Sequence, residues 1–183
     1  MSRFTTAILA LFATLYTLTA QTSIHGKPEL TAQEIAAHIM KRNPDFDPAI
    51  ADAYINLGSR YGIRGDIALC QAIVETGWFR YEGSAVKPQH HNYCGLGVVT
   101  NGVEGEGFAT IEDGVRAHLQ HLFAYSCTRD IPGREPLVDP RFTLVTRGCA
   151  TTWEDLSGRW AMNDAYGALI LRIFNQIARS AGH

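Results

Sequence analysis

No Gly-x-Ser-x-Gly elbow, no phosphate-binding loop and no His-Glu-x-x-His pair occurs in these 183 residues. Their absence removes the usual signatures of serine hydrolases, nucleotide enzymes and zinc proteases. Charge is sparse as well. Asp, Glu, Lys and Arg make up 19% of the chain, the formal net charge is −2, and the sixteen basic residues are scattered without forming a stripe. No nucleic acid and no anionic membrane surface is therefore expected as a partner. Cys70, Cys94, Cys127 and Cys149 lie too far apart for a zinc site. His118 and His121 are three apart, and His90-His91 are tandem, so neither pair has the four-residue spacing and acidic third ligand of a helical metal site. No metal and no cofactor is expected. There is also no internal repeat, no low-complexity tract and no βαβ alternation.

The chain does carry enough apolar material for one domain with a proper core, 46% hydrophobic over 183 residues. Its first twenty residues read differently from the rest. Arg3 is followed by an apolar stretch from Ala7 to Leu18, shorter than the roughly 20 residues of a spanning helix, and Leu18-Thr19-Ala20 supplies a cleavage point. This predicts a leader or N-terminal anchor over 1–20 and an exported protein, periplasmic, envelope-associated or extracellular. No stable membrane insertion is expected once the leader is removed. In an oxidising compartment disulfides are permitted. Cys127 and Cys149, which flank a Pro/Gly-containing loop, are the expected pair.

Residues 21–30 read as a polar connector, and the domain proper as 31–183. Thr31-Ala-Gln-Glu34 is a capping box opening a helix of about twelve residues that Asn43-Pro44 stops. Asp47-Pro48 starts a second, with Ile50, Tyr54 and Leu57 on its apolar face. Asp66 is the expected cap of a third, strongly apolar helix. From Gly83 to Gly107 the chain is glycine-rich, and Asn101-Gly102 between Val98-Val99 and Val103 predicts a β-hairpin. Thr110 to Asp113 opens a helix with Ile111, Val115, His118/Leu119 and Leu122 on one side. A long loop follows from Cys127 to Ala150, and a last helix from about Asp164 to Ala178. The fold class expected is mainly α, a helical domain with a small β-hairpin lobe.

Glu75 is the residue with chemical promise. It closes the apolar run Ile67-Ala-Leu-Cys-Gln-Ala-Ile-Val-Glu75, where a dry environment and the carbonyl end of a helix both disfavour the carboxylate. Such a group can hold a proton near neutral pH and act as a general acid. The alternative is an ordinary ion pair with Arg80 or Arg64. Glycosidic cleavage commonly uses two carboxyl groups flanking the sugar. The hairpin offers Glu106, or Glu104 as the alternative, on the side of the strand continued by Phe108. Trp78, Tyr93, Trp160 and Tyr166 are aromatics near these segments, suited either to sugar C–H faces or to core packing.

The quoted residues resemble a known family. Gly65-Asp-Ile-Ala-Leu-Cys-Gln-Ala-Ile-Val-Glu-Thr-Gly-Trp78 and Asn92-Tyr-Cys-Gly-Leu96 are similar to the bacterial peptidoglycan glucosaminidases, glycoside hydrolase family 73. Gly114-Val-Arg-Ala-His-Leu-Gln-His-Leu122, Asp139-Pro-Arg-Phe142 and Trp160-Ala-Met-Asn-Asp-Ala-Tyr166-Gly167 follow in the same order. The resemblance runs from about Thr31 to the C-terminus. It implies a lysozyme-like helical domain with a β-lobe over a cleft. The implied activity is endo-hydrolysis of the β-1,4 bond between N-acetylglucosamine and N-acetylmuramic acid. It also implies Glu75 as general acid and Tyr166 as active-site tyrosine. Asn92, Tyr93 and Gly95 fall in its cleft-wall motif, and Gln71, Trp78, Phe108 and Trp160 complete the candidate substrate contacts. Peptidoglycan strands are the expected partner of a monomer, with a proteinaceous inhibitor as a further candidate. The readings in competition are a lytic transglycosylase or muramidase on the same fold, and a wall-binding module without turnover.

Overall fold

The computed structural model describes residues 21–98, 105–133 and 135–183. The expected leader, the Asn101-Gly102 turn and Glu104 lie outside the described residues. Among the described residues five α-helices form the domain: α1 (Ala32–Met40), α2 (Pro48–Tyr61), α3 (Gly65–Thr76), α4 (Ile111–Ser126) and α5 (Tyr166–Ala181). Short 3-10 turns occupy Pro88–His90, Phe142–Leu144 and Glu154–Leu156. The mainly helical expectation of a lysozyme-like domain holds. Among the described residues only isolated β-bridges occur, so a hairpin lobe is not seen. Its two flanks do approach, with Glu106 N donating to Leu96 O at 2.8 Å.

Capping chemistry sets the helix starts. Thr31 and Glu34 form the capping box of α1, the Asp47 carboxylate accepts from Ala49 N ahead of α2, and Thr110 accepts from Asp113 N ahead of α4. The expected cap of α3 is corrected. Arg64 occupies that position, and Asp66 sits fully buried in the first turn. There Asp66 accepts from Arg64 Nε and Nη2 at 2.9 and 2.8 Å and from Glu29 N at 2.7 Å. A buried carboxylate met by a guanidinium fork and a backbone amide is satisfied rather than orphaned.

α3 lies at the centre, packed against α2 and α5, while α4 packs along α2 and reaches α3 through His118 and Gln71. Every residue from Gly65 to Ile73 is buried, which is why this helix shows no polar stripe in sequence. The segment 21–30 is tied to the domain by its backbone. Ile24 is fully buried, its N–H donates to Thr151 O at 3.0 Å, and its carbonyl accepts from Arg64 N at 2.9 Å. The expected Cys127–Cys149 disulfide is absent, since all four cysteines are free; Cys127 Sγ donates instead to Phe123 O at 3.6 Å.

The seam between α2 and α3 depends on Gly65. A Cβ there would stand 2.2 Å from Tyr54 O, so alanine must push the two helices apart. Gly65→Ala is expected to lower stability by about 1–3 kcal/mol, read as a reduced midpoint in urea with an unchanged m-value. A wild-type midpoint would contradict this close approach.

Candidate active site

Glu75 sits in the last turn of α3, and α5 brings Tyr166 across to it from 91 residues away in sequence. The Tyr166 hydroxyl donates to Glu75 Oε1, and Trp160 Nε1 donates to the same oxygen at 3.1 Å. Neither Arg64 nor Arg80 pairs with this carboxyl: Arg64 is engaged by Glu29 and Asp66, and Arg80 by Glu82. Burial pushes the Glu75 pKa above its ordinary value of 4.5, and the two hydrogen bonds only partly oppose that. The other oxygen, Oε2, faces Gly95, where an added Cβ would lie 4.0 Å away. Gly95 has φ +69°, a conformation that glycine adopts at no steric cost.

This carboxyl lies in the wall of a cavity of about 300 Å³ that also involves Tyr81, Asn92, Cys94, Gly95 and Trp160. Asn92 organises one wall. Its Nδ2 donates to Leu96 O and to Glu106 O, both at 2.9 Å, while its Oδ1 accepts from Leu96 N at 3.0 Å. The loop Asn92–Leu96 is thereby folded around a single amide and tied to the segment that returns through Glu106.

Behind Glu75 runs a buried polar chain. Gln71 Nε2 donates to the Tyr166 oxygen at 2.9 Å, leaving Gln71 Oε1 to accept from His118 Nε2 at 3.1 Å. His118 Nδ1 is then the acceptor for the Tyr54 hydroxyl at 2.6 Å. Complete burial lowers the His118 pKa to about 3, so the ring is neutral, as one donor and one acceptor nitrogen require. Every member points its donor toward Glu75. The chain fixes the Tyr166 hydroxyl as a donor to that carboxyl.

Of the residues singled out from sequence, Glu75, Asn92, Gly95 and Trp160 meet at the cavity and Tyr166 stands against Glu75. Gln71 is fully buried and reaches the site only through Tyr166. Trp78 turns away, packing against His38 at 6.0 Å between ring centroids and beneath the Arg42 guanidinium at 4.1 Å. Tyr93 is buried among Tyr54, Phe79 and His91. Phe108 packs against the small cluster of Cys94, Leu96 and Ala117. Glu106 is exposed, its side chain lies against Gly97, and it does not line the cavity. Glu104 lies outside the described residues. Tyr54 and His118 were missed as parts of the site. The available signal was His118 on the apolar side of its helix, where a buried imidazole needs partners.

Among the described residues no group of three or more His, Cys, Asp or Glu is arranged to hold a metal ion. Residues 51–179 match the Glucosaminidase family, described as mannosyl-glycoprotein endo-beta-N-acetylglucosaminidase. The chain is also 35% identical over 156 residues to an uncharacterized protein of Borreliella burgdorferi, covering 83% of this chain and 74% of that one.

Proposed function

As the chain belongs to the Glucosaminidase family, we propose that it is a peptidoglycan hydrolase cutting the β-1,4 bond between N-acetylglucosamine and N-acetylmuramic acid. The observation that carries this reading is the Glu75 carboxyl, raised in pKa by burial, facing a cavity and held by Tyr166 and Trp160. In the proposed reaction Glu75 gives its proton to the bridging oxygen as the C1–O bond breaks. An acid and a stabilised oxocarbenium-like centre are the two requirements of this chemistry.

The second half of the mechanism is the group that attacks C1. The exposed position of Glu106, away from the cavity lining, favours attack on C1 by the oxygen of the substrate's own 2-acetamido group. Water then opens the resulting oxazolinium, returning a proton to Glu75 and leaving N-acetylglucosamine as a new reducing end. Glu106, or Glu104, activating a water directly is the alternative route. Export of the protein follows from such a substrate, and among the described residues no helix is long and apolar enough to cross a membrane.

Borohydride reduction of digested cell wall followed by mass spectrometry tests the bond. N-acetylglucosaminitol is the expected reduced end. Muramitol would instead identify a muramidase, an anhydro-muramyl end a lytic transglycosylase, and intact strands a binding module.

A further inference from the structure

The cavity at Glu75 does not stand alone. Cys94, Gly95, Val98 and Trp160 border it and also border a neighbouring cavity of about 210 Å³. His121, Tyr125 and Arg141 belong to that second space and to a third, of about 420 Å³, which ends at Arg159. The three spaces thus follow one another along the same face, each sharing wall residues with the next. Trp160 stands between them, donating to Glu75 on one side and meeting His121 edge-on at 5.0 Å and Tyr125 at a tilt at 5.4 Å between ring centroids on the other.

The charge along this face is polarised. Glu75 is the acid at one end, and among the described residues no Asp or Glu lines either of the other two cavities. Asp139, the acid beneath that floor, is 2% exposed and already occupied: it accepts from Arg141 N at 2.8 Å and contacts His121 Nδ1 at 2.8 Å. The arginines differ in their commitments. Arg147 has a structural role, lying 4.5 Å over the Phe142 ring and donating to the Cys127 carbonyl at 3.1 Å. Arg159 Nη1 donates to Asp155 O at 2.9 Å, and its charge adds to the hydrogen bonds that hold the Asp155 carboxyl below its ordinary value; no side-chain ion pair engages its fork among the described residues. The Arg141 guanidinium has neither a hydrogen bond nor an ion pair among the described residues, and its charge is felt at the Tyr125 hydroxyl, whose pKa it draws down against the dominant upward push of burial. In a protein of net charge −2, two arginine forks with no lining carboxylate among the described residues, beside an acid that would cut a glycan, have the chemistry to take an anion on that glycan.

We propose that the Arg141–Arg159 end of this face is a subsite for a carboxylate carried by the glycan strand, distinct from the position of the bond cleaved. The proposal rests on the peptidoglycan reading. Two sources of that carboxylate exist on such a strand: the peptides attached to the muramyl lactyl group, and the lactyl carboxylate itself where no peptide is attached.

Binding measured in the Glu75→Gln background tests the subsite without turnover. The dissociation constant is read by calorimetry for three soluble ligands: peptide-bearing glycan strands, peptide-free strands with free lactyl carboxylates, and neutral chitooligosaccharides. Adding Arg141→Gln and Arg159→Gln together is expected to weaken a carboxylate-bearing ligand about tenfold while changing the neutral ligand less than twofold. Arg141→Lys should recover part of the loss, since it keeps the charge and gives up the fork. Loss confined to peptide-bearing strands assigns the peptide carboxylates, loss confined to peptide-free strands assigns the lactyl carboxylate, and loss on both shows that either one fills the subsite. An equal loss on the neutral ligand, or no loss on either anionic one, overturns the subsite. Failure of wild-type protein to cleave any wall overturns the hydrolase reading instead, and leaves this binding comparison intact.

Discussion

Glu75→Gln is expected to lower kcat on cell-wall glycan by about a thousandfold while leaving glycan affinity within a few-fold of wild type. Glutamine is isosteric and still presents an acceptor oxygen to Tyr166 and Trp160, the two donors that hold Glu75 Oε1. It has no proton to give a leaving alkoxide. A drop in kcat without a matching rise in KM is the mark of an interaction made only in the transition state. Release of reducing ends by the variant at a wild-type rate would remove Glu75 from the chemistry.

The same substitution has a stability signature whose sign follows from burial. The folded pKa of Glu75 lies above its ordinary value because burial disfavours the anion. Below the unfolded pKa the carboxyl is protonated in both states and has no effect on folding. As pH rises from there through the folded pKa, the unfolded chain ionises first, and native stability is lost by about 1.4 kcal/mol per unit of displacement. Glutamine does not titrate. The variant is therefore expected to match wild type in acid and to melt at a higher temperature near neutrality. An inactive protein that is more stable than its parent separates a catalytic role from a structural one, because loss of a structural carboxyl would destabilise.

Much of this was legible in sequence because it depends on local chemistry. An acid at the end of a helix with no polar face predicts a dry carboxyl, and Glu75 has one. Caps at Thr31, Asp47 and Thr110 were readable for the same reason, since a cap needs only neighbours two or three residues away. What failed was direction. Trp78 is three residues from Glu75, yet Gly77, Trp78 and Phe79 take φ values of 57°, 63° and 59° in succession, reversing the chain and sending the indole toward α1. Two of those three are aromatic, and such side chains give no advance notice of a left-handed backbone. Tyr93 was lost similarly: it sits within the Asn92–Leu96 loop, but the loop closes on the Asn92 amide and leaves its ring in the core. Asp66 looked like a helix cap because its partner, Glu29 N, is 37 residues away. The polar chain from Tyr54 to Glu75 was invisible for the same reason, as each of its links joins residues far apart in sequence.

That chain sets the expected behaviour of Tyr166→Phe. Its hydroxyl is the larger of the two hydrogen-bonding influences holding the Glu75 pKa down against burial. Removing it should raise that pKa further and move the basic limb of the kcat/KM profile to higher pH. A less acidic donor gives its proton less readily, and a carboxyl freed of one of its two donors is less well aimed, so kcat is expected to fall by about ten- to a hundredfold. The phenyl ring still fills its place at the start of α5, but Gln71 Nε2 loses its acceptor in a site with no exposure. A buried amide left without its partner costs about 1–3 kcal/mol, so a lower melting temperature should accompany the slower rate. His118→Leu separates the two consequences. It leaves the Tyr166 hydroxyl on Glu75 and breaks the chain one link further back, where Gln71 Oε1 loses His118 Nε2 and Tyr54 loses His118 Nδ1. A comparable loss of stability, with a smaller loss of rate and a smaller displacement of the basic limb, is the expected result. A profile in Tyr166→Phe that stays where it is, or moves to lower pH, would mean that this hydroxyl does not govern the Glu75 proton.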